Sequence, residues 1–297
     1  AAIAKYGYTR EEFLGMTIAD IRPKEDLPRL TENLARPRTV LEHSEGWRHC
    51  LKDGTIIEVE ISSHALNFDE SESALVIAQD VTERKKAEAR IRYVTRLYAT
   101  LSQVNQTIVR VKQRNELFNA ICKVAVEFGQ FRMAWVGLLD NKTGDVNPVA
   151  HAGFEDGYLR SIKININDEL LGKGLTGIAI RTGKVVFIDD IDADPRMGPW
   201  REQASKRDYH SFASVPIRLK GMVFGVLNLY ATETNFFSDE ELRLLEEIGT
   251  DISFALDTIE TEIQHKRAEE ALIESERRYR HALSNMMEGC QIIDHDW

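Results

Sequence analysis

Twice in this chain a charged helix is set directly against a sheet-forming segment. At Asp80-Val81-Thr82-Glu83-Arg84-Lys85-Lys86-Ala87-Glu88 an alternating strand runs straight into a charged helix. Near Glu269-Glu270-Ala271-Leu272-Ile273-Glu274-Ser275-Glu276-Arg277-Arg278-Tyr279 a second charged helix heads toward a new apolar segment. Such junctions at both ends of a central block form an imperfect repeat, so the chain reads as sheet domains strung on long helices.

The helices carry a seven-residue period. In the first, Ala87, Val94, Leu101 and Ile108 form one seam, while Ile91, Tyr98 and Asn105 form the other. A heptad of this length predicts pairing with a second helix, and Asn105 at a seam position would set the register. Packing of a single helix on its own domain is the alternative. In the second helix Leu245, Ile252 and Ile259 repeat every seven residues beside Leu242, Ile248, Leu256 and Ile263. The pattern resumes at Ala268, Leu272, Tyr279, Leu283 and Met286, five residues after Ile263, so the seam shifts over 264–267. Gly289 is expected to stop the helix, with a new strand over 290–297.

Before the first junction, Thr9 with Glu12 makes a capping box and Gly15 ends a short helix. Lys52-Asp53-Gly54 between apolar runs signals a hairpin joining strands at 47–51 and 55–61. Ile57, Val59 and Ile61 point to one face, Glu58 and Glu60 to the other. A third strand is expected at 74–78. In the central block, 114–258, a helix at 116–128 precedes strands at 133–139, 146–150, 185–188, 212–217 and 222–230. A polar excursion, 189–210, separates the third and fourth of these. Ser238 with Glu241 opens the closing helix.

A length of 297 residues suggests about two domains. The net charge of −10 argues against a nucleic-acid surface. Cys50, Cys122 and Cys290 show neither metal-ligand spacing nor a disulfide framework, which suits a reducing cytoplasm. No apolar run approaches the ~20 residues that cross a bilayer, although a parent protein can carry its anchor elsewhere. Without an initiator Met, and with a fresh strand at its end, the chain is expected to be a fragment of a longer protein.

Tyr6-Gly7-Tyr8-Thr9-Arg10-Glu11-Glu12-Phe13-Leu14-Gly15, Lys52-Asp53-Gly54-Thr55 and Asp80-Val81-Thr82-Glu83-Arg84 together resemble the later two-thirds of a Per-Arnt-Sim (PAS) sensor domain. Ser275-Glu276-Arg277-Arg278-Tyr279-Arg280 with Met286-Met287-Glu288-Gly289 resembles the entrance to a second one. The central block resembles GAF domains through five stretches. They are Phe131-Arg132-Met133-Ala134-Trp135-Val136-Gly137-Leu138, Gly174-Leu175-Thr176-Gly177-Ile178-Ala179, Pro199-Trp200-Arg201, Ser214-Val215-Pro216-Ile217 and Gly225-Val226-Leu227-Asn228-Leu229-Tyr230. In the variety most similar to this chain the residue before Ser211 is usually Arg; here it is His210.

The resemblance implies an α+β fold, with PAS-like and GAF-like antiparallel sheets, flanking helices and coiled-coil-like connectors. The implied order is a PAS part over 1–81, a coupling helix over 82–113, a GAF domain over 114–258, a second coupling helix over 259–285 and the start of another PAS domain over 286–297. In a GAF fold the excursion 189–210 closes over a ligand cavity, which makes Trp200 and Arg201 its candidate contacts. Trp135, His151, Tyr209, His210 and Ser214 complete the candidate ligand set, while Asp80, Thr82 and Asn105 are candidates for signal coupling.

Other chemistry is weaker. Gly172-Lys173-Gly174-Leu175-Thr176-Gly177 lacks the spacing of a phosphate loop, and its glycines suit turns around a short helix. Asp189, Asp190, Asp192 and Asp194 alternate, but Pro195 and Arg201 stand where a calcium loop needs Gly and Glu. A solvated turn is the alternative, and no metal is expected. His151 or His210 could hold haem iron, yet no other haem cue is present. No cofactor is therefore expected, and the small ligand stays unspecified. Cys122 reads as a core thiol and Trp135 first as core packing. No Gly-x-Ser-x-Gly elbow, His-Glu-x-x-His or kinase loop occurs, and His281 lacks the neighbours of a histidine-kinase phosphoacceptor. No catalytic residue is assigned.

The expectation is a cytoplasmic, homodimeric sensory module. It would relay small-ligand binding through its helices to a downstream output domain of the same protein, of histidine-kinase type. Alternatives are the sensor part of a diguanylate cyclase or phosphodiesterase, a haem-based redox or gas sensor, and a structural dimerisation rod.

Overall fold

Ile57, Val59 and Ile61 are buried on one face of a strand whose intervening glutamates face outward, and a small core gathers around them with Leu30 and Trp47. The computed structural model describes residues 2–35, 41–68, 71–168 and 171–287. The chain divides into two compact units, 1–94 and 95–297.

The first unit opens with three short helices, α1 (Ala2–Tyr6), α2 (Arg10–Leu14) and α3 (Leu27–Leu34). Thr9 and Glu12 form the full reciprocal capping box at the start of α2. Three antiparallel strands follow in the order β1 (Leu41–Cys50), β2 (Ile56–Phe68) and β3 (Ser71–Asp80). Gly54, at φ +87°, makes the hairpin turn after Asp53, whose carboxylate accepts from the Thr55 amide at 2.9 Å.

The strand-to-helix junction is pinned to its neighbour strand. Val81 is buried and donates to Glu58 O at 2.9 Å, while the Glu58 amide donates to Thr82 Oγ1 at 2.9 Å. Asp80 Oδ1 accepts from the Thr82 amide at 2.9 Å, capping the first turn of α4 (Thr82–Arg110). Two of the residues expected to serve coupling, Asp80 and Thr82, thus hold helix and sheet together. Asn105 is exposed, on a helix face with exposed Ile91 and Tyr98. The opposite face buries Thr100 and Val104, and Ile108 packs beside them in the core of the second unit. The helix therefore packs one stripe on its own domain, the alternative its heptad left open, and leaves the stripe of Ile91, Tyr98 and Asn105 exposed.

The second unit comprises α5 (Arg114–Glu127), β4 (Met133–Leu139), β5 (Val146–Gly153), α6 (Tyr158–Ser161), α7 (Leu175–Thr182), β6 (Val186–Ile188), α8 (Arg201–Ser205), β7 (Ser211–Leu219), β8 (Met222–Ala231) and α9 (Asp239–Met287). Its five strands form one antiparallel sheet in the order β5-β4-β8-β7-β6. Alternation sends Ala134, Val136, Ala213, Val215, Leu227 and Leu229 to a layer shared with α5 and α9. Met133, Trp135, Phe212, Val226 and Tyr230 face the other layer, with α6, α7 and α8. This is the α+β arrangement that the strand pattern predicts.

α9 begins at the Ser238–Glu241 capping box, both hydrogen bonds of which are made. Leu245, Ile248, Ile252, Leu256 and Ile259 are buried on the sheet. Gly249 lets the helix approach closely, since a Cβ there would stand 2.7 Å from Val215 Cγ1. Arg114 pairs with Glu260 at 2.6 Å, and Lys220 Nζ reaches Gln264 Oε1 at 3.4 Å. Beyond that point Leu272, Ile273, Tyr279 and Leu283 are all exposed. The seam shift at 264–267 causes no break in the helix; it marks where α9 leaves the sheet. The expected stop at Gly289 and the strand over 290–297 lie outside the described residues, as does the side chain of Met286.

Candidate functional site

The layer of α6, α7 and α8 encloses an aromatic cluster. Tyr158 meets Tyr209 and Tyr230 edge-on at centroid distances of 5.4 and 5.5 Å, and Phe212 stands 4.8 Å from Tyr230. Tyr158 and Tyr230 hydroxyls lie 3.2 Å apart. Burial pushes Tyr158 up to about 12 against the Tyr230 hydrogen bond and nearby Arg207, and raises Tyr209 and Tyr230 as well. All three phenols are therefore neutral at physiological pH.

Beside this cluster is a cavity of 20 Å³, bordered by Tyr158, Thr176, Met197, Trp200, Phe212 and Tyr230. That is room for about one water molecule. Trp200, at the start of α8, closes it by laying its ring on Gly174, where any Cβ would overlap the indole. Gly174 is the N-cap of α7, and Gly172 and Gly177 pack backbone against backbone. The glycines thus serve close packing and turns. Arg207 fastens the excursion down: its guanidinium donates to Glu155 O at 3.1 Å and to Asp156 O at 2.5 Å, the residues leading into α6.

A second polar feature lies on the same face of the sheet. Trp135, Asn228 and Ser214 stand directly across from one another on β4, β8 and β7. All three are wholly buried. Thr176 Oγ1 donates to Asn228 Oδ1 at 3.1 Å, which leaves Asn228 Nδ2 pointing elsewhere. Trp135 Nε1, Asn228 Nδ2 and Ser214 Oγ have no hydrogen-bond partner among the described residues, although the indole lies near enough to Tyr230 to oppose the rise in its pKa. Buried polar groups are nearly always paired, so Asn228 Nδ2 and Ser214 Oγ, both unpaired, beside an indole N–H that meets only Tyr230 loosely, are an unusual concentration in one cross-strand row.

Of the residues expected to contact a ligand, Trp200 borders the cavity, while Trp135 and Ser214 belong to the polar row. Tyr209 is buried in the aromatic cluster and donates its hydroxyl to Phe154 O. Arg201 turns away from the cavity, with Nη2 on Asp194 O at 2.8 Å. His151 is exposed on β5, and His210 lies between Asp208 and Asp192 at 3.1 and 3.9 Å. Neither histidine borders the cavity. Two of the aspartates of 189–194 cap turns: Asp190 accepts from the Asp192 and Ala193 amides, and Asp194 from the Arg196 amide. Among the described residues no group of three His, Cys, Asp or Glu side chains converges on a metal position. Cys122 is buried on the opposite side of the sheet, its thiol pushed up to about 12 by burial.

Tyr158, Thr176, Asn228 and Tyr230 were not among the expected contacts. Alternation along β8 was the available signal, because Asn228 and Tyr230 share a face with Val226 and oppose the apolar Leu227 and Leu229.

Residues 112–257 match the family model for the GAF domain. Nearly all of the chain (99%) aligns at 28% identity with a methyl sulfide methyltransferase-associated sensor of Methanosarcina acetivorans, of which it spans 29%. Among solved structures, part of this chain resembles the free methionine-R-sulfoxide reductase of Neisseria meningitidis. That likeness has 17% identity, 56% of this chain, 90% of the other and a TM-score of 0.47. It also resembles the GAF domain of a Coxiella burnetii phosphoenolpyruvate-protein phosphotransferase (19% identity, 59% and 96% covered, TM-score 0.47). Among the described residues no helix is long and apolar enough to cross a membrane.

Proposed function

We propose that the GAF domain is a small-ligand sensor and that this chain is the sensory part of a signal-transduction protein. The observation that carries the reading is the buried row Trp135–Asn228–Ser214, with hydrogen-bonding capacity left unused, joined through the Asn228–Thr176 hydrogen bond to a cavity that Thr176 and Trp200 border. A ligand with acceptor atoms would satisfy that row, and admitting it would require Trp200 and α8 to move. The strands that contact the ligand also carry α9 on their reverse face, so a change in the sheet would shift the helix.

The first unit is, in this reading, the later part of a PAS domain, and α4 and α9 are coupling helices that pair in a homodimer through Ile91, Tyr98, Leu272 and Tyr279. The output we propose is a histidine kinase in the same polypeptide. The sensor name of the Methanosarcina relative agrees with a sensory role.

The test is native mass spectrometry of the chain purified from cells, beside Ser214→Ala and Asn228→Leu. A bound small molecule should be present in the parent chain and lost in both variants, and Ser214→Ala should melt below the loaded parent because it has lost the stabilisation that binding supplies. A chain with no retained molecule, or variants that keep it, would end the proposal.

A further inference from the structure

The first unit holds a larger cavity, of 620 Å³, between the N-terminal helices and the open face of the sheet. That volume lies within the usual range for small-molecule sites, about 300–1,000 Å³. Its walls are mostly apolar, including Phe13, Met16, Ile18, Ile21 and Val76. Two polar side chains that line it are deeply buried and unsatisfied. Arg22 is 6% exposed, and neither Nε nor Nη1 has a hydrogen-bond partner among the described residues. His49 is 3% exposed, and its Nε2 is likewise unpartnered.

The carboxylates nearby are engaged elsewhere. Asp26 takes a two-point contact from Arg48, with Nη2–Oδ1 at 2.6 Å and Nε–Oδ2 at 3.0 Å. Asp80 lines the cavity, but Lys5 holds Oδ2 at 2.5 Å and the Thr82 amide holds Oδ1. Arg22 lies against the face of Trp47, 4.5 Å from Cζ, and feels the charge of Asp26 without a hydrogen bond to it. The Tyr6 hydroxyl and His49 Nδ1 share a hydrogen bond; with the hydroxyl as donor, the imidazole proton stands on Nε2, the tautomer used below. The cavity therefore offers N–H donors from a guanidinium and an imidazole, with Asp80 as its one carboxylate already paired. An unpaired buried cation is costly unless an anion meets it, and a guanidinium matches a carboxylate with two parallel hydrogen bonds.

We propose that this cavity binds an organic carboxylate with an apolar body, its carboxylate on Arg22 and His49 and its body against Phe13, Met16 and Ile18. The site is separate from the GAF cavity and does not depend on the reading given for it.

Octanoate is the probe, with octan-1-ol supplying the same body without charge and acetate the charge without the body. The full chain, labelled with ¹⁵N in arginine and histidine, is titrated and followed by NMR. Octanoate should move the Arg22 Nε–H and His49 Nε2–H resonances and saturate at one per chain, with octan-1-ol and acetate at least tenfold weaker. Arg22→Gln should lower octanoate affinity tenfold or more. Arg29→Gln should leave it unchanged, since Arg29 caps the outer face of Trp47 and donates to Gly46 O. If Arg22→Gln fails to fold, the resonances of the parent chain decide alone. Octan-1-ol binding as tightly as octanoate, or an Arg22 signal that octanoate leaves unmoved, overturns the proposal, as does retained affinity in a folded Arg22→Gln.

Discussion

Arg96 and Glu241 form a buried ion pair that ties α4 to the first turn of α9. Glu241 is simultaneously the reciprocal partner in the Ser238 capping box. Arg96 also donates to Gly129 O at 3.2 Å and lies over the Phe236 ring at 4.7 Å. Removing one charge from a fully buried pair costs about 3–5 kcal/mol, because its partner is left in an apolar surround. Arg96 keeps some contact with solvent, so Glu241→Gln, which preserves the shape of the cap, should cost about 2–3 kcal/mol. Arg96→Met should lose a similar amount, and the double variant clearly less than the sum. Urea unfolding of the four proteins measures this coupling; strictly additive losses would show the two groups to be independent.

Gly174 and Trp200 make a second testable pair. A Cβ on Gly174 would occupy the space of the indole, so Gly174→Ala must displace Trp200 or bend the start of α7. Overpacking of this kind costs about 1–3 kcal/mol. Trp200→Ala removes a buried aromatic and should cost about 3–5 kcal/mol. In the double variant the alanine methyl has room, so Gly174→Ala should become nearly neutral. Thermal melts of the single and double variants read this directly, and an unchanged penalty for Gly174→Ala without the indole would contradict the packing described.

His49 gives the first unit a pH dependence of definite sign. Burial, helped by the Arg22 charge, lowers its pKa from 6.5 to about 4. Between those values the unfolded chain binds a proton that the folded chain refuses, so stability falls as pH drops from 6.5 toward 4, by at most about 1.4 kcal/mol per pH unit. Asp80 acts in a lower window. Burial would raise its pKa, but Lys5 and Thr82 outweigh burial and hold it at about 2, so its contribution is lost below pH 3.8. Unfolding of the parent chain and His49→Gln followed between pH 7 and 4 should converge as pH falls. Parallel curves would mean that His49 titrates normally in the folded state.

The legible parts of the fold are those with a strong local period or an explicit terminator. β4 is readable from its continuous apolar run, β2 from Ile57-Glu58-Val59-Glu60-Ile61, and the starts of α2 and α9 from their capping boxes. α6 is only four residues long, too short to show a helical period. At the candidate site, Trp200 is conspicuous as an aromatic in a polar segment. Arg201 beside it has the same sequence signal, yet α8 sends its guanidinium to Asp194 O, and only coordinates resolve that choice. The polar row depends on register between β4, β8 and β7, a long-range property that no single segment encodes. The Arg22 site is harder still to read, because its chemistry lies in what fails to pair with it.

α9 remains helical without interruption from Asp239 to Met287, although its side chains grip the sheet only as far as Gln264. Past that residue it behaves as a protruding shaft, and what it carries outward is angular phase. Each added residue turns the far end by ~100°, so seven more would restore the orientation to within ~20°, whereas two would swing Leu283 to nearly the opposite side. A partner that gripped the distal end would therefore be sensitive to the number of residues in the exposed stretch, even though that stretch lies beyond the sheet.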